Sequence, residues 1–243
     1  MLSFSSERNF YECTMTTTEQ TKVFLYVLKF EGFLNRWRAF TLMGKNKWKK
    51  ELEQTFGFFK MMGTGSGNGF GIIPDFGTYI IITTAKNHLI LVESIYIKAL
   101  LKRVKSLKIY EMMPLKSHGL WNGRNPFEHI SVAHVSEYDY PQLSVITRGS
   151  IKRSLWRKFW KFVPEVARQI PSEALYSVGM GELPLVEQAT FSVWKSEEDM
   201  LQWAYQNKTH RNVIALTHSL KWYDEELFAR FRCREIQCVE SIH

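Results

Sequence analysis

The sequence predicts an α+β protein: two tandem ferredoxin-like halves packed as an α+β barrel in one chain. Three observations point there. Short apolar segments of strand length alternate with longer segments of helical period. The order strand, helix, strand, helix, strand occurs twice, with the turn between strand and helix in ITTAKNHL (82–89) echoed in SVWKSEED (192–199). The chain has 243 residues, of which 45% are hydrophobic, enough for one large domain or two fused small ones. Two such sheets hide both apolar faces by packing against each other.

The elements follow in order. Residues 1–20 are rich in Ser and Thr and weakly patterned, as in a flexible arm. The first half is expected over 21–115. TKVFLYVLKF (21–30) reads as a buried strand that ends before Gly32. FLNRWRAFTLMGKN (33–46) and KWKKELEQTFGFFKMM (47–62) read as helices. GTGSGNGFG (63–71) is a glycine-rich loop and GTYIIITTA (77–85) a strand. HLILVESIYIKALLKRV (88–104) has helical length and spacing, and KSLKIYEMMPL (105–115) reads as a strand. Residues 116–141, with Gly119, Gly123, Pro126 and Pro141, form the connecting segment.

The second half is expected over 142–235. QLSVITRGS (142–150) is a strand, and IKRSLWRKFWKFVPEVARQI (151–170) a helix that Pro164 should kink or break. ALYSVGMGEL (174–183) and LVEQATFSVW (185–194) read as strands. In the latter, alternation puts Phe191 and Val193 on one face and Thr190, Ser192 and Trp194 on the other. SEEDMLQWAY (196–205) opens a helix with a Ser and an acidic first turn, and its period continues to about Thr217. WYDEELFARFRC (222–233) reads as a helix turning into a final strand, and 236–243 as a tail.

Composition narrows the function classes. The net charge of +8 favours anionic partners without choosing among nucleic acid, lipid headgroups or an acidic redox protein. Three cysteines, Cys13, Cys233 and Cys238, form no CxxC pair, so neither a disulfide framework nor a structural zinc site is expected. Neither a secretory h-region nor a stretch of spanning length is visible, so a cytoplasmic location is the default expectation. Aromatics make up 14% of the chain; they fill cores by default and also line pockets for flat apolar ligands.

Most familiar motifs fail. The glycine-rich loop fits GxGxxG in no register, and no GxxxxGK[ST] is present. The loop reads instead as a turn needing positive φ, or as backbone that closes over a ligand. Lys152, Arg153, Arg157, Lys158 and Lys161 interleave with Trp156, Phe159, Trp160 and Phe162. Such a helix suits a buried aromatic face with solvated charges, an anionic membrane surface, or single-stranded nucleic acid. No nucleic-acid module accompanies it, so no nucleic-acid partner is expected. Of the seven histidines, His210 stands out. At helical spacing it shares a face with Met200, Trp203, Asn207, Ile214 and Thr217. That is the setting of a satisfied core histidine, the commoner outcome, or of an axial haem ligand.

Four blocks resemble the spheroidene monooxygenase family: FKMMGTGSGNGF (59–70), LWNGRNPFE (120–128), ITRGSIK (146–152) and residues 179–233, which hold GMGELPLVEQATFSVW and EELFARF. The likeness runs from about residue 22 to 233 in the family's order. It implies the dimeric α+β barrel arrangement with both halves in one chain. It also implies haem b with its iron, dioxygen, an external electron donor such as a ferredoxin, and hydroxylation or ketolation of an acyclic carotenoid. The family's T-H-R histidine falls on His210, which the resemblance makes the metal ligand; helical spacing adds Trp203 and Ile214 on its face as further cofactor-binding candidates, and Arg211, its neighbour, is a candidate for a propionate. Trp194, Phe191 and Tyr205 are further candidates for lining an apolar channel, though alternation forbids all of them one pocket. The arm 1–20, the tail REIQCVESIH and His129 depart from the family pattern. A non-enzymatic haem or apolar-ligand binding protein of the same fold is the reading from another class. An apolar substrate, the positive charge and helix 151–162 together predict peripheral membrane contact.

Overall fold

The computed structural model describes residues 20–69, 71–88, 94–130, 135–167, 174–183, 186–206 and 221–236. Among the described residues, thirteen elements follow one another: β1 (Lys22–Lys29), α1 (Phe33–Met43), α2 (Asn46–Phe56), β2 (Phe59–Gly65), β3 (Pro74–Ala85), α3 (Ile95–Leu101), β4 (Ser106–Gly119), β5 (Gln142–Ile151), α4 (Trp156–Ala167), β6 (Ala174–Gly181), β7 (Glu187–Trp194), α5 (Glu197–Gln206) and β8 (Tyr223–Ile236). No helix among the described residues is long and apolar enough to cross a membrane.

The eight strands close into one barrel in the order β1-β3-β2-β6-β7-β5-β8-β4. Within it the first four strands run β4-β1-β3-β2 and the last four β8-β5-β7-β6, the same order twice, with antiparallel neighbours throughout. Both sets thus have the strand order of a ferredoxin-like unit. The two sheets face one another, as the sequence predicts, and they also join at both edges. One seam is long, with β4 and β8 paired from Ile109↔Ile236 to Gly119↔Leu227 across a bulge at Pro114/Lys116. The other rests on a single pair, Gly63↔Gly181.

Alternation sorts every strand into an inner and an outer set. Val23, Leu25 and Val27 of β1, Phe191 and Val193 of β7, and Leu227, Ala229 and Phe231 of β8 fill the barrel. The connecting segment does more than join the halves: Trp121, Phe127 and Ile130 enter the same interior cluster and cap it. Outside, Phe24, Tyr26 and Leu28 of β1 pack with Trp48 and Leu52 of α2 and Leu100 of α3.

Several expected elements differ. The segment expected as the end of a helix through residue 62 is instead strand β2, because Gly57 ends α2 at φ 72. The run FFKMM then satisfies strand and helix periods equally, and the glycine decides. Residues 222–233 hold no helix; β8 begins at Tyr223, and its acidic start marks an exposed strand end. α3 is shorter than 88–104, and β4 extends to Gly119. Residue 151 completes β5 rather than starting a helix. α4 continues through Pro164 unbroken, its first turns held down by buried Phe159 and Trp160. That burial also turns the aromatic side of the basic helix inward, leaving Arg157, Lys158 and Lys161 at the surface.

Candidate functional site: the outer face of the second sheet

Two outer sheet faces occupy equivalent places in the barrel, and their side chains differ sharply in size. On the first, neighbouring strands present Tyr26 beside Ile81 and Met61, and Leu28 beside Tyr79. These are large, buried and met by helices. On the second, the equivalent rows carry large side chains on β8 and small ones across much of β5, β7 and β6. Phe228 of β8 is followed across the sheet by Thr147, Thr190 and Gly179. The next row runs Arg230, Val145, Ser192, Ser177, and the row on the other side Glu226, Gly149, Gln188, Gly181. Thr147, Thr190, Ser192 and Ser177 are half-buried. Thr147 Oγ1 and Thr190 Oγ1 hydrogen-bond each other, so the floor's central hydroxyls satisfy one another.

Aromatic clusters stand at both ends of this floor. At one end Trp194 packs against Trp203 of α5, ring centroids 5.6 Å apart, with Leu143 and Met200. Trp194 Nε1 donates to Ser192 Oγ at 2.9 Å, which fixes the indole against the floor. At the other end Phe159 of α4 meets Trp222 and Tyr223 edge-on, at 5.5 and 6.0 Å. Gly149 is required there, since a Cβ would lie 2.5 Å from the Tyr223 ring. Thr147 and Thr190 belong to neither cluster. Among the described residues, a strip of small side chains thus lies between two aromatic clusters. His118 lies at the β4 edge, paired with Phe228 and 5.4 Å from its ring. Arg230, whose Nε has no partner among the described residues, reaches Glu197 at the start of α5.

The barrel interior offers less to chemistry. Tyr110 and Tyr176 stack at 5.8 Å beside Phe191. Burial pushes both phenols up, Tyr176 to about 12. The Cys233 thiol is likewise pushed up by burial, to about 12, and stays protonated and inert. At one end Arg148 lies between Glu187 and Glu225 and also reaches Asn122. Among the described residues no group of three His, Cys, Asp or Glu side chains could hold a bare metal ion.

Of the predicted site residues, Trp203 sits at the edge of the small-residue floor. His210, Arg211 and Ile214 lie outside the described residues, as do the arm 1–19 and the tail from 237. Phe191 is inside the barrel and Trp194 outside, the division that alternation predicts; the side chain of Tyr205 is not described. The glycine-rich loop is a turn in which Gly67, Asn68 and Gly69 all take positive φ. It docks on β6, where Gly179 N–H donates to Asn68 O at 2.8 Å. The floor residues Thr147, Gly149 and Ser177 were missed by sequence reasoning. Their smallness is visible in the sequence, but the strand pairing that assembles them is not.

No family model matches the chain. It is 30% identical over 181 residues to the spheroidene monooxygenase of Rhodobacter capsulatus, a match covering 72% of this chain and 74% of that protein. It is 27% identical over 219 residues to the spheroidene monooxygenase of Cereibacter sphaeroides, covering 86% of this chain and 66% of that protein. Among solved structures, a crystal structure of aldoxime dehydratase superposes with a TM-score of 0.52 at 12% identity, covering 90% of this chain and 86% of that one. That similarity shows the fold alone. With a relative at 30% identity aligned over 74% of its length, the chain belongs to the spheroidene monooxygenase family and is an enzyme of the oxygenase class.

Proposed function

We propose that the chain is a haem-dependent monooxygenase that hydroxylates or ketolates a carotenoid or similar long apolar substrate, using dioxygen and an external reductant such as a ferredoxin. The observation that carries this reading is the small-residue floor on the outer face of the second sheet, walled by Trp194 and Trp203 at one end and Phe159 and Trp222 at the other. Its fit to haem is chemical. A macrocycle is flat and apolar, matches a floor of Thr, Ser, Val and Gly, and brings its own four donors. It therefore asks the protein for one imidazole rather than a ligand cluster. His210 would supply that imidazole, Arg211 would pair with a propionate, and Trp203 and Ile214 would pack on the ring. When bound, haem supplies the activation of dioxygen.

The chain's own residues do the rest. The aromatic walls exclude water and orient the substrate, so that one terminal carbon faces the reactive centre while the polyene lies along apolar surface. The paired hydroxyls of Thr147 and Thr190 keep the floor polar enough to stay ordered without offering a competing ligand.

His210→Ala should abolish most haem retention, read as loss of the Soret band, while His218→Ala and His129→Ala retain it. If His118→Ala loses the band and His210→Ala keeps it, the ligand is the histidine at the β4 edge and the assignment of His210 fails. A pigmented protein that binds a carotenoid without oxidising it would favour a ligand-binding role in its place.

A further inference from the structure

An amphipathic helix on a globular protein normally turns its apolar stripe inward. α1 does the opposite. Phe33, Trp37 and Phe40 fall at i, i+4 and i+7, on one stripe, and all three are exposed, Phe33 at 84% and Trp37 at 53%. The face that packs on the protein is a different one, marked by buried Ala39 and half-buried Leu42 and Met43. The exposed rings form a continuous surface: Phe33 stacks on Trp37 at 6.5 Å and 11°, Trp37 meets Phe40 at 6.0 Å, and Phe40 meets Phe76 of β3 edge-on at 5.1 Å. Leu34 beside them and Ile72 and Ile73 just before β3 are exposed as well. Patches of this kind mark interaction sites on soluble-type folds.

The charge around the patch selects the partner. Arg38, Lys45, Lys47 and Lys50 are exposed along α1, the turn after it and the first turns of α2. Of the carboxylates nearby, Glu31 pairs with Lys105 at 2.5 Å and Asp75 accepts the Gly77 N–H at 2.8 Å, while Glu51 of α2 is exposed, so the cations outnumber the acids around the rings. Aromatic rings ringed by lysine and arginine match the interface of an anionic bilayer, where rings sink to the acyl boundary and cations stay with the headgroups. A second copy of the chain would bring the same cations against each other. The helix expected to touch membrane, 151–162, is unsuited to it, since Phe159 and Trp160 are buried.

We infer that α1 and the adjoining β3 end form a monotopic docking surface for an anionic lipid bilayer. The rings of Phe33, Trp37, Phe40 and Phe76 enter the interface, and the cations of α1 and α2 hold the headgroups. The inference stands on this patch alone and does not depend on the haem or substrate reading.

The test is co-sedimentation of the full chain with phosphatidylcholine vesicles and with vesicles also containing phosphatidylglycerol, at low and high salt. The full chain should bind the anionic vesicles, and salt should weaken binding. Phe33→Ser with Trp37→Ser should lower the partition coefficient by roughly tenfold or more, since each ring removes a large apolar area from water. Trp37→Phe should retain binding, Arg38→Glu with Lys47→Glu should weaken it, and Lys158→Glu with Lys161→Glu on α4 should leave it unchanged. The ring side chains are solvent-facing, so circular dichroism of the Ser variants should match the parent. Should that double variant misfold, Phe33→Ser alone provides the same comparison. Binding that survives loss of the rings, or that α4 charges control, overturns the proposal. So does a dimer in sedimentation velocity that Trp37→Ser dissociates while vesicles stay unbound.

Discussion

Arg148 carries its charge inside the end of a barrel, with 2% of its side chain exposed. Two carboxylates, Glu187 and Glu225, share it, and the ring of Trp121 lies 5.8 Å away. Removing only the cation leaves two acids together with no counter-charge, which is the expensive way to break a buried ion pair. Arg148→Met should cost about 3–5 kcal/mol in urea unfolding, and adding Glu187→Gln and Glu225→Gln should restore part of the loss. Glu111 provides the pH counterpart. Burial alone would raise its pKa, but hydrogen bonds from Lys22 (2.6 Å) and Tyr140, with the charge of Arg234, outweigh it and hold the carboxyl below its ordinary 4.5. A lowered carboxylate pKa gives stability that is present in full above the unfolded value and lost as pH falls through the folded one. Glu111→Gln should therefore melt lower than the parent at pH 7, and the gap should narrow as the pH falls below the ordinary 4.5. None of these partnerships is legible in the sequence, because they join residues far apart in the chain. What the sequence does show is the residue type at each position and, in β7, which face each side chain takes.

At the scale of elements, the weak link is the seam between β2 and β6. Its strands meet at one glycine pair, and the loop after β2 is drawn onto β6 so closely that a Cβ on Gly69 would stand 1.9 Å from Gly179 O. Gly69 also sits at φ +90, where side chains are strained. Gly67, two residues away at φ +60, has open space. Gly69→Ala should therefore destabilise by about 2 kcal/mol or more, and Gly67→Ala by about 1 kcal/mol. Paired thermal melts check the difference, and equal effects would remove the close approach as the reason for the glycine run. The sequence predicts positive φ here but cannot say what the backbone approaches. β8 shows the opposite failure. Leu227, Ala229, Phe231 and Cys233 alternate cleanly inward. The acidic residues before them resemble a helix start, and the period of two is the signal to follow. β2 is harder, since Phe58 to Met62 fits both periods and only Gly57 separates helix from strand.

Over the whole molecule, the repeated strand order makes two equivalent sheet faces, and the chain spends them differently. The first is filled with Tyr, Phe, Ile and Met under α1 and α2, while the centre of the second holds Thr, Ser, Val and Gly. The duplication is legible in the sequence because each strand carries its own period. The asymmetry is not, because it appears only when register sets Thr147 beside Thr190 and Ser192 beside Ser177. Filling the floor should separate its role from that of the core. Ser192→Trp should keep the fold, since the side chain faces outward, but should lower haem occupancy several-fold, read as Soret absorbance per protein, by filling the place proposed for the cofactor. The proposed reaction is oxygen insertion into a carotenoid at this face. It is tested most directly by incubating the haem-loaded protein with an acyclic carotenoid, a ferredoxin reducing system and isotopically labelled dioxygen, then reading the product by mass spectrometry. Labelled oxygen is expected in the carotenoid, lost in both His210→Ala and Ser192→Trp. An unchanged carotenoid recovered from a fully haem-loaded, reduced protein would contradict it.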